Sequence, residues 1–424
     1  SKKIVKLTAL AGAVMGVVGT AQAVINTDAS TITISSANPN NIVGTNQGKN
    51  NINIGTGANT YRTEPNNVVS HDAIAIGTNA TGKGDASVAI GLDSKAVDQS
   101  AVAIGQDTKA MSINAVAIGQ NVTATANHAL AMSTDANASG VQSIAIGSYS
   151  NATADSVVAI GQNSNAGGAA GANGKGPGTA AVAVGYLANA SAANTVAAGK
   201  SATATVDNAI AVGVSTAATA RNAAALGGYA TATAERATAV GAASKASGTA
   251  SFAGGTSANA SGANSVAIGG SMTPADAAQA SGVNATAIGT GAKASDKNAV
   301  ALGSGSVTKT AIPNASQEFF KKRYTFAGGS PDSVVSFGSL DHERQLVNVA
   351  AGRINSSSTD AINGSQLYAV TQMLADHQWI VSGNTTASVR SSHEEHGVKR
   401  NDIVDFEDGK GTSAVIRHTP ADIS

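Results

Sequence analysis

The chain has 424 residues, its 26 lysine and arginine residues are balanced by 26 aspartate and glutamate residues, and it contains no cysteine. The balanced charge argues against electrostatic binding of nucleic acid, which needs a basic patch, and the missing thiols exclude disulfides and metal thiolates. Aromatic residues make up only 3% of the sequence against 48 glycines, which argues against a core built from large side chains.

The amino terminus has the three parts of a secretory signal peptide. Three lysines within the first six residues precede an apolar run at 7–18, and the small-x-small triplet at 21–23 follows. This apolar run is too short to cross a bilayer as a helix. We therefore predict a signal peptide at 1–23, followed by an Asn-, Thr- and Ser-rich N-terminal cap region at 24–70.

Residues 71–310 repeat a 14-residue unit marked by a glycine. One unit has Ser133 in place of the glycine, and the residue two positions before each of these sites is always Ala. A fixed short period over so many units predicts a solenoid, in which one small unit stacks on the next. The predicted turn glycines are Gly77, Gly91, Gly105, Gly119, Gly147, Gly161, Gly185, Gly199, Gly213, Gly227, Gly241, Gly255, Gly269, Gly289 and Gly303.

Each unit is predicted to contain two short strands. The residues on either side of the invariant Ala are mostly Val or Ile, as in Val88-Ala89-Ile90, and this alternation indicates a strand. The glycine then supplies a turn that a residue with a β-carbon resists. Small residues three and five positions later, such as Ser94 and Ala96, indicate a second strand before a polar tail with turn chemistry. One unit is therefore one coil of a β-roll.

The size of the coil suggests how it packs. At about 3.3 Å per strand residue, such a coil is a flattened loop with a thin interior. We expect the Val and Ile side chains to be buried and the Ala side chains to form a flat outer face. Because a flat face of small residues suits close packing against its own copy, the sequence predicts an obligate homo-oligomer.

After residue 310 the period is lost, and three segments at 335–338, 344–352 and 358–367 resemble the neck of trimeric autotransporter adhesins. The glycine repeats, such as Asn264 to Gly269, are similar to the YadA-like left-handed parallel β-roll head of the same family. The neck residues that carry the resemblance are Asn348, Gly352, Asp360, Ala361, Asn363, Gly364, Gln366 and Leu367.

The resemblance covers nearly the whole chain and implies an all-β, homotrimeric solenoid head. A neck and the start of a coiled-coil stalk would follow at 311–375, and a small β-rich stalk domain containing Trp379 at 376–424. Family members end in a long stalk and a C-terminal membrane β-barrel anchor. We therefore expect this sequence to be a fragment of a longer parent that is exported across the inner membrane and anchored in the outer membrane.

The resemblance also implies a bacterial surface adhesin that binds host extracellular matrix proteins, of collagen, fibronectin or laminin type, or a host-cell receptor. The alternative is self-association between cells, in autoagglutination or biofilm, without a host ligand. Both would use the outer faces of the same trimer. Ligand specificity is expected in the turns and in the insertions at Asn165–Thr179 and Ser271–Ala280. The alternative is that these insertions are added length that the fold tolerates and that has no role in binding.

No catalytic or metal-binding motif emerges from the sequence. The histidines of His393-Glu394-Glu395-His396 are three residues apart where a zincin helix needs four, so a solvated polar turn is the better interpretation. His71 and His128 are expected at the surface. A nucleophile motif on a strand-to-helix turn and a calcium-binding repeat are also missing. We expect a protein that is not an enzyme and that holds neither a metal nor a cofactor.

Overall fold

A computed structural model describes most of the chain, in two compact units. One unit runs to residue 310 and includes 332–343, and the other comprises 311–331 and the residues from 344 onward. Much of the predicted signal peptide lies outside the described residues. The described residues are 51–60, 70–168 and 179–375, together with short strand segments at 22–26, 31–35, 378–380, 397–399, 404–405 and 415–416.

The first unit is a parallel β-solenoid whose first sheet is built mainly from the strand before each repeat glycine, with the antiparallel pair Gln22–Asn26 and Thr31–Ser35 at its N-terminal end. Successive strands pair in register one period apart, as in Val88↔Val102 and Ile90↔Ile104. The strands of this sheet are Gln22–Asn26, Thr31–Ser35, Ile52–Ile54, Ile74–Ile76, Val88–Ile90, Val102–Ile104, Val116–Ile118, Leu130–Met132, Ile144–Ile146, Val158–Ile160, Val182–Val184, Val196–Ala198, Ile210–Val212, Ala224–Leu226, Thr238–Val240, Phe252–Gly254, Val266–Ile268, Thr286–Ile288, Val300–Leu302 and Val335–Ser336.

The second sheet is built from two-residue strands that follow each glycine, and it is also parallel and in register. Each of these strands pairs with the equivalent strand of the next coil, so every coil contributes one rung to each sheet. Its strands are Thr81–Gly82, Lys95–Ala96, Lys109–Ala110, Thr123–Ala124, Asn137–Ala138, Asn151–Ala152, Asn165–Ala166, Asn189–Ala190, Thr203–Ala204, Ala217–Ala218, Thr231–Ala232, Lys245–Ala246, Asn259–Ala260, Gln279–Ala280 and Lys293–Ala294.

The interior between the two sheets is filled by alanine, serine and threonine. In a single coil Ser87, Ala89, Ser94 and Ala96 are all buried, while the side chains that alternate with Ala89 on the first strand remain partly exposed. Our expectation that Val and Ile fill the coil and that Ala forms its outer face is therefore wrong. The sheets lie so close together that mostly small side chains fit between them, Val122 and Val157 being the largest, whereas the Val and Ile side chains beside the invariant Ala point outward.

The glycine turn requires glycine for two reasons. All fifteen repeat glycines have φ between +109° and +149°, a region that L-residues avoid. A β-carbon built on Gly105 would also lie 1.7 Å from the carbonyl oxygen of Gly119 in the next coil. Stacked coils thus bring backbone against backbone at this corner. Ser133, with φ of +95°, is the repeat position at which a side chain is accommodated.

Replacing Gly119 by valine is expected to lower the melting temperature of the solenoid more than replacing Ser133 by glycine. Gly119 has φ of +137°, and a β-carbon there would lie 2.9 Å from the carbonyl oxygen of Ser133. A strained backbone position of this kind costs on the order of 1–3 kcal/mol, to which the contact adds. Equal melting curves for the two variants would show that this corner does not depend on backbone geometry.

The solenoid does not end at residue 310. The chain leaves it there and returns at Val335–Ser336, which pairs in parallel with Val300 and Ala301 and adds one more strand to the first sheet. The intervening segment forms an antiparallel hairpin from Ser316–Phe319 and Lys322–Thr325. This excursion of the chain explains why the 14-residue period disappears from the sequence before the last strand of the first sheet has formed.

The second unit also contains the α-helix Gly364–Ala375, which follows the neck motif. Two short antiparallel pairs lie beyond this helix, Gln378–Ile380 with Gly397–Lys399 and Val404–Asp405 with Val415–Ile416. The structure thus places strands in the region predicted to be a small β-rich domain. Among the described residues no helix has the length and hydropathy needed to cross a membrane.

Candidate assembly and ligand-binding surfaces

The outer side of the first sheet is an apolar face, formed by the residues one and three positions before each repeat glycine. In-register pairing stacks like on like, so that Val116 follows Val102 and Ile118 follows Ile104. The large side chains of this face stay exposed in the single chain, Ile268 to 41%. Because monomeric soluble proteins rarely expose long contiguous apolar patches, a face of this kind is typical of an interaction surface.

In one coil, a large side chain on the apolar face is compensated by the absence of a side chain beside it, which keeps the face flat. Phe252 occupies a position that is usually Val, and Gly254 occupies the neighbouring position that is usually Ile. A β-carbon on Gly254 would lie 2.9 Å from Cε1 of Phe252, so the phenyl ring fills the space that the missing side chain leaves. A bulky residue is thus accepted without a protrusion, as a close-packed partner would require.

The outer side of the second sheet is a polar face, formed by the residues four and six positions after each repeat glycine. It carries mainly threonine, serine, asparagine and lysine, with Val97, Met111 and Ala217 among the exceptions, and none of its described positions between residues 81 and 295 holds Asp or Glu. Its charges are all positive, in a chain whose formal net charge is zero. Its lysines are Lys83, Lys95, Lys109, Lys245 and Lys293.

An amide ladder runs along the middle of the polar face. The side-chain nitrogen of Asn137 donates to Oδ1 of Asn151 at 2.8 Å, Asn151 donates to Asn165 at 3.3 Å, and Asn165 donates to Asn189 at 3.0 Å. The two middle amides, Asn151 and Asn165, each use one donor and one acceptor within the ladder, and an amide has four hydrogen-bonding sites in all. The ladder therefore holds the side chains in one orientation and leaves capacity for a ligand.

The second insertion folds over the polar face and creates a groove. Its 3-10 helix, Pro274–Asp276, overhangs the rungs below, and the side chain of Gln279 donates to the carbonyl oxygen of Ala275 at 3.3 Å. Oδ1 of Asn259 is buried there and has no hydrogen-bond partner. The groove measures about 370 Å³ and is lined by Ala243, Lys245, Ser257, Asn259, Pro274, Ala275 and Gln279.

This groove suits a small polar group that donates to the Asn259 amide and carries negative charge toward Lys245, the one charged residue among its lining. The predicted insertion at Ser271–Ala280 thus lies beside the polar face, which carries the amide ladder. Of the other predicted insertion, residues 169–178 lie outside the described part of the chain.

The carboxylates of the head are committed to its turns. Oδ1 of Asp93 accepts a hydrogen bond from the Asn79 side chain at 3.0 Å, and Oδ1 of Asp85 accepts one from the backbone N–H of His71 at 2.9 Å. Each of these bonds joins neighbouring coils. Within the described residues no group of three His, Cys, Asp or Glu side chains is placed to hold a metal, and the motif at 393–396 lies outside them.

The neck motif folds around the side chain of Gln366. Its Nε2 donates to the carbonyl oxygen of Gly352 at 2.6 Å, while its Oε1 accepts from the backbone N–H of Gly352 at 3.0 Å and of Asn363 at 3.1 Å. Asn363 in turn donates to the carbonyl oxygen of Val349 at 3.1 Å. These bonds connect the loop before the helix to the start of the helix.

A charged pair closes the same loop. Nε and Nη2 of Arg353 donate to the two oxygens of Asp360 at 2.8 and 3.1 Å. This hydrogen bonding lowers the pKa of the Asp360 carboxyl and raises that of the guanidinium. Asp360 thus has a partner that the sequence motif did not single out.

The remaining neck residues shape the loop. Asn348 is left-handed, with φ of +61°, and a β-carbon on Gly352 would lie 2.3 Å from the carbonyl oxygen of Ala361. Gly364 begins the helix. Leu367, Val370 and Leu374 are spaced three and four residues apart, as apolar residues are in a coiled-coil heptad, and all three are exposed in the single chain.

Comparison with known proteins agrees with this architecture. Residues 345–378 match the profile described as "Coiled stalk of trimeric autotransporter adhesin". The profile described as "YadA head domain repeat (2 copies)" matches residues 70–94, 83–108, 96–121, 138–164, 177–202, 193–216, 218–244, 232–258, 246–271 and 280–306. Together the two profiles cover more than half of the chain.

Among characterised proteins, Autotransporter adhesin BtaE of Brucella suis is 41% identical over 99 residues, which are 23% of this chain and 13% of that protein. The C-terminal YadA-like domain of a Burkholderia pseudomallei protein is 48% identical, with a TM-score of 0.22, over 23% of this chain and 46% of that one. The collagen-binding domain of the Yersinia adhesin YadA is 20% identical, with a TM-score of 0.19, over 68% of this chain and 85% of that one.

The repeats form a β-solenoid head of the YadA type, and the helix Gly364–Ala375 lies within the segment that matches the coiled stalk of trimeric autotransporter adhesins. The chain belongs to the trimeric autotransporter adhesins. The identity predicted from the repeats and the neck is thereby confirmed, as is the all-β solenoid class. The chain spans only a small fraction of the length of the Brucella relative that it matches.

Proposed function

We propose that the chain is the head-bearing part of a bacterial surface adhesin, anchored in the outer membrane in its full-length parent. Its trimeric head would bind host extracellular matrix proteins, of collagen, fibronectin or laminin type, or a host-cell receptor, without catalysis. The observation that carries this proposal is the division of one solenoid into an apolar outer face and a polar outer face. The first suits partner subunits, and the second suits a ligand.

The apolar face is the surface that we assign to the homotrimer. Its ladders of Val and Ile run the length of the first sheet, and the Phe252–Gly254 compensation keeps the sheet flat. Burial of apolar area stabilises association by about 25 cal/mol per Å², so a face of this length favours a permanent assembly. Three chains packed in this way would turn their polar faces toward the surroundings.

The polar face is the surface that we assign to the ligand. It is periodic, and its lysines lie on three successive coils (Lys83, Lys95 and Lys109) and, farther along the sheet, at Lys245 and Lys293. Weak contacts that repeat along each of three chains raise avidity without a strong single site. Adhesion through this face should therefore depend on how many coils are present.

Deleting residues 92–105 and then 92–119, which are one and two whole coils, is expected to weaken binding progressively while the assembly stays folded. The chain and its deletion variants would be tested on immobilised collagen, fibronectin and laminin and on host cells. Deleting only residues 92–98 is the matched control, because half a coil breaks the register of both sheets and should lower the melting temperature instead. A point substitution on the polar face that abolishes adhesion without loss of melting temperature would contradict a distributed site.

Self-association between cells is the second candidate, and the amide ladder favours it. Asn137, Asn151, Asn165 and Asn189 present donors and acceptors together, so that two such faces are complementary to each other. The same deletion series separates the two functions when clumping of cells that display the head is measured beside matrix binding. Clumping that falls with coil number while no matrix protein or host cell is bound would replace the first proposal.

A further inference from the structure

The hairpin of the second unit concentrates aromatic and cationic side chains in a chain that is poor in both. Ser316–Phe319 pairs with Lys322–Thr325. Residues 319 to 324 are Phe, Phe, Lys, Lys, Arg and Tyr, whereas aromatic residues make up 3% and charged residues 12% of the whole chain. Nothing in the 14-residue repeat has this chemistry, so the hairpin serves a purpose other than stacking coils.

The tip of the hairpin holds a phenyl ring away from the protein. Phe320 and Lys321 have φ of +50° and +66°, the left-handed pair that Asn-Gly usually supplies in a two-residue turn. The Phe320 side chain is fully exposed, at 104% of its reference area. Left-handed backbone at bulky residues is costly and tends to mark functional positions. The ring contributes no burial to the described part of the chain, so in the single chain it is free to contact a partner.

The three cations of the hairpin follow Phe320 directly in the sequence. Cross-strand pairing places Lys322 opposite Phe319 and Arg323 opposite Glu318, and consecutive pairs of a hairpin face opposite sides. Nζ of Lys322 lies 5.3 Å from the ring centroid of Tyr324. One cation thus lies on each face of the hairpin and the third, Lys321, lies in the turn itself.

We propose that the hairpin tip inserts into the surface of a bilayer that contains anionic phospholipid. Phe320 would enter the boundary between headgroups and acyl chains, where amphipathic protein segments bury their apolar side chains. Lys321, Lys322 and Arg323 would lie among the anionic headgroups, which attract basic residues near the surface. This surface shares no residue with the polar face of the head, and binding through it does not depend on a matrix ligand.

A linear polyanion such as a sulfated polysaccharide is the less suitable partner. Binding of a linear polyanion needs cations along one face of the hairpin, whereas these cations are divided between both faces and the turn. The ring of Tyr324 is already covered by Lys322, which leaves less aromatic surface for sugar stacking. A polyanion also makes no use of an apolar ring at the very tip. The membrane surface accounts for Phe320 and for the cations together.

The test is co-sedimentation of the 424-residue chain with vesicles of phosphatidylcholine alone and of phosphatidylcholine with about 30% phosphatidylglycerol. We expect binding to the anionic vesicles only. Phe320→Ser should weaken it about tenfold, the loss of one buried aromatic side chain. Replacing Lys321, Lys322 and Arg323 together by Gln should weaken it about 100-fold, since each cation contributes about fivefold. All variants keep the apolar run at 7–18, so differences between them report on the hairpin.

The matched controls are Tyr229→Ser and the double change of Lys95 and Lys109 to Gln. Tyr229 is a 65% exposed aromatic residue that is also left-handed, with φ of +61°, and the two lysines are exposed cations of the head. These variants should bind vesicles like the unmodified chain. The proposal fails if the unmodified chain does not bind anionic vesicles, or if the hairpin variants bind them as well as the unmodified chain does. It also fails if Phe320→Ser alters the oligomeric state, because the ring would then belong to a contact between subunits. Retention on heparin resin without vesicle binding would assign the tip to a polyanion instead.

Discussion

Replacing Ile146 by lysine is expected to abolish assembly of the head. Ile146 lies on the apolar face, in register between Met132 and Ile160. In an assembly that packs this face against other copies, each chain would bury an ammonium group without a partner. An unpaired buried charge of this kind costs several kcal/mol, and three chains would each carry one. Sedimentation at micromolar concentration should show single chains or unfolded protein in place of a trimer.

Asn151→Lys is the matched control for this change, because Asn151 belongs to the same coil but to the polar face. Lysine occupies the equivalent position in other coils, at Lys95, Lys109 and Lys245. The control variant should therefore assemble like the unmodified chain, and its melting temperature should fall only slightly, through loss of the two ladder hydrogen bonds of Asn151 at about 1 kcal/mol each. If Ile146→Lys leaves a stable trimer intact, the apolar face is not the subunit interface and the assembly must use another surface.

Replacing Ala218 by leucine is expected to unfold the coils around it. Ala218 is fully buried between the two sheets, where the neighbouring interior residues Ala204 and Ala232 stack on it from adjacent coils. Overpacking a filled interior typically costs about 1–3 kcal/mol, and a solenoid this thin has little freedom to widen. We expect a clear fall in melting temperature and loss of the far-ultraviolet β signal at a lower denaturant concentration.

Ala217 provides the control within the same two-residue strand. Its side chain points outward on the polar face, at a position where other coils carry threonine, asparagine or lysine. Ala217→Leu makes the same chemical change and should leave the melting temperature nearly unchanged. Similar destabilisation by both variants would contradict the structure, in which the side chain of residue 218 faces the interior and that of residue 217 faces outward.

The period, the strands and the turns follow from the sequence because they depend on local chemistry. Glycine marks a backbone position with positive φ, and alternation of Val, Ala and Ile marks a strand. Alternation does not tell which side of the strand faces inward, since it only separates the side chains into two sets. The size of the coil determines which set faces inward. Its short perimeter brings the sheets together until Ala89 fits between them and Val88 does not.

The surfaces were predictable only in part. The polar face becomes visible once the strand register is known, because Lys95 and Asn151 are far apart in sequence and lie on one face through stacking. The unpartnered oxygen of Asn259 depends on how the insertion folds over its rung. The hairpin around Phe320 interrupts the repeats, so the period that identifies the head carries no information about it.

The most direct test of this account is to measure which face is covered in the assembled head. The chain has no cysteine, so single Ile146→Cys and Asn151→Cys variants can each be labelled with a thiol reagent in the native state. Both positions are half-buried in the single chain, so any large difference between them comes from assembly. The account predicts protection of the thiol at position 146 and rapid labelling at position 151. Equal labelling at the two positions, or protection at 151 alone, would contradict it.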